Sequence, residues 1–122
     1  RSLSQADFDL FARVSGDDNP IHVDPAFSAR TRFGRTVSHG MLLYTVLWGL
    51  VRRHVPRARQ TSQTLMFPAP TFAGELLVFS GDVAAVDGER ADLVLNISKA
   101  ADGTAVCEAT AAIIAPGGGH GR

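Results

Sequence analysis

Ser38-His39-Gly40-Met41-Leu42-Leu43-Tyr44-Thr45-Val46-Leu47-Trp48-Gly49-Leu50-Val51-Arg52-Arg53-His54 is the stretch that decides the fold. Leu42, Leu43, Val46, Leu47, Leu50 and Val51 cover more than one stripe of a helix. A helix apolar on most sides belongs inside a protein, not on its surface. Arg52, Arg53 and His54 suit its C-terminal end through the helix dipole, and Pro56 stops it. Beyond Gln60 the pattern changes to β-rich or alternating segments at 61–68, 75–86, 89–99 and 104–115. Asp87-Gly88 and Asp102-Gly103 separate the last three, and Asp-Gly is a strong two-residue hairpin signal. An antiparallel meander after a buried helix predicts an α+β domain, its sheet wrapped around that helix.

Before the buried helix, Ser4 with Asp7 three residues on forms a capping-box variant, with Leu3 and Phe8 placed for a hydrophobic staple. Phe8, Phe11 and Ala12 recur at helical spacing, which predicts a short amphipathic helix over 5–14. Asp24-Pro25 is an N-cap followed by proline at the first helical position, predicting a second short helix towards Arg32 that Gly34 ends. Residues 1–115 then form one domain, and 116–122, Gly-rich after Pro116, a flexible tail.

A chain of 122 residues is one domain's worth, and its 45% hydrophobic fraction is ordinary for a soluble protein. Twelve basic and twelve acidic side chains cancel, giving no electrostatic reason to expect nucleic acid or an anionic membrane as partner. Arginines cluster at Arg30, Arg32 and Arg35 and again at Arg52, Arg53, Arg57 and Arg59, as a solvated rim or as contacts to a phosphorylated ligand. The single Cys107 excludes an internal disulfide and a cysteine zinc site, and its apolar alternating segment makes it a small core residue. Nothing resembles a signal peptide, and the longest nearly apolar run, Met41 to Val51, is too short to span a bilayer. A cytoplasmic protein is the default expectation. The chain opens on Arg1 without a methionine, which leaves room for a preceding segment.

Two constellations could carry chemistry. Ser15-Gly16-Asp17-Asp18-Asn19-Pro20-Ile21-His22 places an acid and an imidazole five residues apart in a stretch punctuated by Gly16 and Pro20, too turn-rich for regular helix or strand. Brought together, Asp17 and His22 can share general acid and base work. The bland reading is a turn, with Asp18 solvated and Asn19 bracing the loop or touching a bound water. His22, Asp17 and Asp24 lack a recognisable metal-ligand framework, so no metal is expected. The second constellation is Ser38-His39-Gly40 at the start of the buried helix. Its first N–H groups lack internal partners and point outward with the positive end of the dipole. Gly40 has no side chain to keep a ligand oxygen from its N–H, which is the equipment of an oxyanion hole. Chemistry alone leaves an equal alternative: Gly40 permits close packing and His39 is a satisfied, partly buried histidine.

Residues 11–27, Phe11-Ala12-Arg13-Val14-Ser15-Gly16-Asp17-Asp18-Asn19-Pro20-Ile21-His22-Val23-Asp24-Pro25-Ala26-Phe27, followed by Ser38-His39-Gly40-Met41-Leu42, resemble the MaoC-like hydratase family, and more narrowly the (R)-specific enoyl-CoA hydratases. The similarity runs from about Leu3 to Ala115. It implies a hot-dog fold, a curled antiparallel sheet around a long helix, in agreement with the helix-then-meander reading. It also implies reversible hydration of trans-2-enoyl thioesters, of CoA or acyl carrier protein, to (R)-3-hydroxyacyl thioesters. Asp17 and His22 match the catalytic pair and Gly40 the backbone oxyanion donor, with Asn19, Ser38 and His39 in support. The resemblance implies no cofactor or metal, and a homodimer with the carrier arm reaching the site near the subunit interface.

Two features depart from the family. Its members generally have a strand or more before the first helix, so here the sheet lacks an edge strand or is completed upstream of Arg1. Some relatives carry a serine where Trp48 aligns. Trp48 is then either core packing or a bulky wall of the acyl pocket, and the second reading predicts a preference for short or unusually shaped acyl groups. Two other functions remain open on the same fold: a non-catalytic acyl-binding or partner subunit of a heterodimeric dehydratase, and a thioesterase.

Overall fold

The computed structural model describes residues 1–116. Helix α1 spans Gln5–Ser15 and opens with the capping box read from the sequence: Ser4 Oγ accepts from Asp7 N–H while the Asp7 carboxylate accepts from Ser4 N–H. Leu3 and Phe8 are both buried, as a staple requires. Gly16 ends the helix at φ 80°, a left-handed conformation that glycine adopts without steric cost. The loop that follows is more regular than the sequence predicts. Asn19 caps a single helical turn, α2 (Pro20–Val23), through a 3.1 Å bond from Ile21 N–H to its side chain. Proline at the first helical position suits a helix start, so Pro20 begins a turn of helix instead of excluding one. Asp24 caps α3, which covers Pro25–Ala29 and stops short of Arg32. The Thr31 hydroxyl takes the carbonyl of Ser28 at 2.7 Å, and Gly34 N–H closes a turn onto Thr31 O.

Helix α4 is Gly40–His54, beginning two residues later than the pattern predicts, with His39 as its N-cap. Strands β1 (Arg59–Met66), β2 (Leu77–Asp87), β3 (Arg90–Lys99) and β4 (Ala105–Ile114) form one antiparallel sheet in the order β1-β4-β3-β2. The meander is therefore β2-β3-β4, and β1 joins it beyond β4. Each Asp-Gly marks a hairpin connection without being its two-residue loop: Asp87 pairs with Arg90 around Gly88-Glu89, and residues 100–104 join β3 to β4, with Gly88 and Gly103 at positive φ.

The helix and sheet meet through alternating side chains. Leu93, Leu95 and Ile97 of β3 and Cys107, Ala109, Ala111 and Ile113 of β4 form one cluster with Leu42, Leu43, Leu47 and Val51 of α4. The register shift beside Ile97 leaves Val106 as an extra residue, which is why Val106 and Cys107 are buried in succession. Burial raises the Cys107 thiol to about 11, with Glu108 nearby adding to the effect, as befits a core residue. Arg1–Leu3 run beside the start of β2: Ser2 bridges Leu76, the terminal ammonium donates to Leu77 O at 2.8 Å, and Leu77 N–H donates to Arg1 O. The tail expected over 116–122 lies outside the described residues apart from Pro116. No described helix is long and apolar enough to cross a membrane.

Candidate active site

The end of α1, the α2 turn and the start of α4 converge on two imidazoles. His22 sits on α2, whose backbone is held from three sides. Gln5 of α1 donates to His22 O at 2.8 Å, Val37 N–H donates to Ile21 O at 2.8 Å, and the buried Ser28 hydroxyl donates to the carbonyls of Pro20 and Ile21. Gln5 also accepts from the Thr36 hydroxyl at 2.6 Å, which ties α1 to the strand-like stretch ahead of α4.

That stretch fixes the tautomer of His22. Its Nδ1 lies 2.7 Å from Val37 O. A carbonyl only accepts, so Nδ1 carries a proton, and in the neutral ring the lone pair sits on Nε2. The lone pair faces Asp17, with Nε2 and Oδ2 3.8 Å apart. The separation is too long for a direct hydrogen bond and short enough for one oxygen to reach both, at about 2.8 Å from each. His22 is mostly covered and Asp17 is 55% exposed, so the gap between them opens to solvent on the Asp17 side.

His39 is the hidden member of the site. It is 1% exposed, and its ring stacks on His22 with centroids 3.9 Å apart and planes at 26°. Its other contacts are edge-on, with Phe11 at 4.9 Å and Phe8 at 6.3 Å. His39 Nε2 lies 2.9 Å from Asp17 O and donates to it, holding the backbone of the acid. Nδ1 is then a buried acceptor with no partner among the described residues. Burial lowers the pKa of His39 most. The bond to Asp17 opposes this, the His22 imidazole lowers it further, the Asp17 charge works against that, and the net shift is downward. His39 therefore remains neutral where an ordinary histidine begins to protonate.

Gly40 is the first residue of α4, and its cap, His39, makes no side-chain bond to the helix. The opening N–H groups are thus left for another acceptor. The structure brings Asp17, His22, His39 and Gly40 together. Asn19 braces the loop by capping α2, and Ser38 works locally, its hydroxyl donating to His39 O at 3.1 Å and its N–H to Thr71 O at 2.9 Å. Trp48 stands apart. It is about two turns, or about 12 Å, along α4 from Gly40. There it lines a separate depression with Tyr44, Arg52, Ala58, Arg59 and Gln60.

Asp17, His22 and His39 offer ligand atoms within 4.8 Å of one another. As arranged, one nitrogen of each ring is engaged with the backbone, His22 Nδ1 with Val37 O and His39 Nε2 with Asp17 O. Two sizeable hollows lie elsewhere. One of about 600 Å³ sits at the far end of α4 against Val83, Leu93 and Ile113, and one of about 550 Å³ lies between α1 and α4. Neither contains Asp17 or His22; the site is identified by its chemistry, not by its volume.

Sequence reasoning did not single out Gln5 or Ser28. Ser28 carries no signal in a single sequence, and Gln5, at the start of α1, reads as an ordinary solvated helix residue.

Comparison with known proteins gives one family. The sequence profile described as "MaoC like domain" matches residues 1–102. An (R)-specific enoyl-CoA hydratase of Aeromonas caviae is 35% identical over 92 residues, covering 74% of this chain and 69% of the relative. A 3-hydroxybutyryl-CoA dehydratase of Methylorubrum extorquens is 40% identical over 96 residues, covering 74% of this chain and 59% of that protein. Among solved structures, the A. caviae (R)-hydratase superposes with a TM-score of 0.89 at 32% identity, over 95% of this chain and 90% of that one. An unliganded (R)-hydratase of Pseudomonas aeruginosa gives 0.88 at 31%, over 94% and 76%.

Proposed function

Because this chain belongs to the MaoC-like domain family, we propose that it hydrates trans-2-enoyl thioesters of CoA or acyl carrier protein, reversibly, to (R)-3-hydroxyacyl thioesters. Its fold is the hot-dog fold of its solved (R)-hydratase relatives. The observation that carries the proposal is the free Nε2 lone pair of His22, 3.8 Å from an Asp17 oxygen and fixed in that tautomer by Val37 O.

In the hydration direction a water molecule bridges Asp17 Oδ2 and His22 Nε2. As its oxygen bonds to C3, one of its protons passes to the pair, and the π electrons of the C2–C3 bond move onto the thioester carbonyl as an enolate. The Gly40 N–H, with the helix dipole behind it, stabilises the charge on that oxygen. The enolate collapses, C2 takes a proton from the pair, and the pair returns to its starting state. The conjugated thioester makes C3 electrophilic, so the mechanism draws on no cofactor. His39 and Asn19 hold the Asp17 backbone and the α2 turn, and Ser38 holds the entry to α4.

The proposal includes a cytoplasmic homodimer built on residues 1–115. β1 supports the dimer: among the described residues it pairs with β4 alone, and its residues are exposed except for the half-buried Leu65, as for a strand edge that receives a second sheet. Crotonyl-CoA tests the reaction. Loss of the conjugated-enoyl absorbance with (R)-3-hydroxybutyryl-CoA as product supports hydration. Release of free thiol with the enoyl absorbance unchanged would make the protein a thioesterase instead.

A further inference from the structure

Phe67 occupies the space that a side chain on Gly40 would take. A β-carbon built on Gly40 would lie 2.8, 2.9 and 3.1 Å from three carbons of the Phe67 ring. Carbon atoms pack at about 3.5–4.0 Å, so an added methyl and the ring exclude each other. The ring edge therefore lies against the first residue of α4, the residue whose N–H has no partner within the helix. Burial does not explain the placement: Phe67 is 41% exposed, and the chain neighbours of the pair, Met66 and Met41, are 60% and 47% exposed.

The backbone around Phe67 explains how the ring is held. Phe67 directly follows β1 and leads through Pro68 and Pro70, whose rings restrict the chain, to Thr71 and Phe72. Thr71 O accepts from Ser38 N–H at 2.9 Å, and Phe72 bridges Val37. Glu75 secures the same turn, accepting from Phe72 N–H at 2.8 Å and from the Thr71 hydroxyl at 3.0 Å. The segment that carries Phe67 is thus bonded to residues 37 and 38, which also present Val37 O to His22.

We propose that Phe67 is a positioning residue for the thioester carbonyl, and that Phe67 is what requires glycine at position 40. The ring walls one flank of the Gly40 peptide against water and leaves the other for the incoming oxygen. A donor with a dry flank acts in a lower local dielectric, where its hold on a developing negative charge is stronger. The inference rests on the hydratase reading and adds to it the residue that shapes the oxyanion end of the site.

A double-mutant cycle tests it, using Gly40→Ala, Phe67→Ala and the pair, with Phe67→Leu as the conservative variant. On crotonyl-CoA, Gly40→Ala should lower kcat on the order of 100-fold by displacing ring and donor together. Phe67→Ala should lower kcat on the order of ten-fold, Phe67→Leu should recover most of that, and the double variant should turn over faster than Gly40→Ala alone. Melting curves supply the second readout: Gly40→Ala lowers Tm in the parent and leaves it unchanged or raises it in the Phe67→Ala background. Equal Gly40→Ala defects in both backgrounds, or wild-type kcat and KM in Phe67→Ala, overturn the proposal. If the parent protein does not hydrate crotonyl-CoA, the hydratase reading falls and takes the carbonyl-positioning role with it, while the Tm cycle still decides whether Phe67 imposes the glycine.

Discussion

Replacing His39 by alanine and by phenylalanine separates the two things its imidazole does. The ring is 1% exposed and contacts His22 and Phe11 at centroid distances of 3.9 and 4.9 Å, so alanine leaves a void among aromatic neighbours. Truncating a buried ring costs about 3 kcal/mol. At about 4 °C per kcal/mol for a domain of this size, His39→Ala should melt about 12 °C lower. Phenylalanine keeps the volume. It gives up the 2.9 Å bond to Asp17 O, worth about 1 kcal/mol. It also removes Nδ1, the buried nitrogen without a partner among the described residues, whose burial costs on the order of 1 kcal/mol. These two effects oppose each other, so His39→Phe should melt within about 4 °C of the parent.

The pH profile gives an independent check on the same residue. Burial, with His22 adding to it and Asp17 opposing it, holds the folded-state pKa of His39 below its ordinary 6.5. Below that value the unfolded chain takes up a proton that the folded protein does not. The contribution of His39 to stability is therefore complete above pH 6.5 and is lost as pH falls through the folded-state pKa. His39→Phe removes this dependence. Urea unfolding at about pH 7.5 and about pH 5.5, either side of the ordinary histidine range, reads the effect through the fluorescence of Trp48. Crotonyl-CoA turnover reads the site: without its tether Asp17 is less well placed, and kcat should fall on the order of ten-fold in His39→Phe. If His39→Phe loses as much stability as His39→Ala, the packing account is refuted. Full turnover in the phenylalanine variant would refute the positioning of Asp17 by His39.

Three other predictions follow from the scaffold. Burial pushes the Glu75 pKa up, but Phe72 N–H, the Thr71 hydroxyl and Lys99 together outweigh it and hold the carboxylate below its ordinary 4.5. The stability Glu75 contributes is present above that pH and lost as pH falls through its folded-state value, so Glu75→Gln should flatten the acid limb of an acid-unfolding curve; an unchanged limb would count against it. Gly49→Ala should raise Tm by the equivalent of about 0.5–1 kcal/mol, since a β-carbon there meets nothing within 4 Å; thermal melting checks this, with turnover unaltered. Cys107, fully buried and with its thiol raised to about 11, should resist iodoacetamide in the native protein and react once urea unfolds it; rapid native labelling would show that the β4 core opens easily.

The parts of the fold that depend on local chemistry were legible in the sequence. The apolar girth of α4, the capping box of Ser4 and Asp7, and the two Asp-Gly turns each correspond to an element in place. The order of the sheet was not, because the pairing of β1 with β4 is a long-range choice that no local pattern states. The α2 turn was hidden for a different reason. Pro20 and Asn19 are turn residues and also cap and first residue of a helix, and which role they take depends on Gln5, Ser28 and Val37 arriving from elsewhere. In the site, the Gly-Asp-x-Asn-Pro-x-His pattern pointed to Asp17 and His22, which the structure brings within 3.8 Å. The stack of His39 on His22 and the contact of Phe67 with Gly40 join residues far apart in the chain, and a single sequence carries no mark of either. Trp48, read from the sequence as core packing or a wall of the acyl pocket, packs against the core cluster and lines a depression that contains neither Asp17 nor His22.

The central claim, that Asp17 and His22 together activate water, is tested most directly by the crotonyl-CoA hydration rate of Asp17→Asn and of His22→Ala, each compared with the parent after matched melting curves establish that it is folded. The account predicts that either substitution lowers kcat by about 100-fold or more, the scale of lost general acid–base catalysis. Turnover near the parent rate in a folded Asp17→Asn or His22→Ala protein would contradict it.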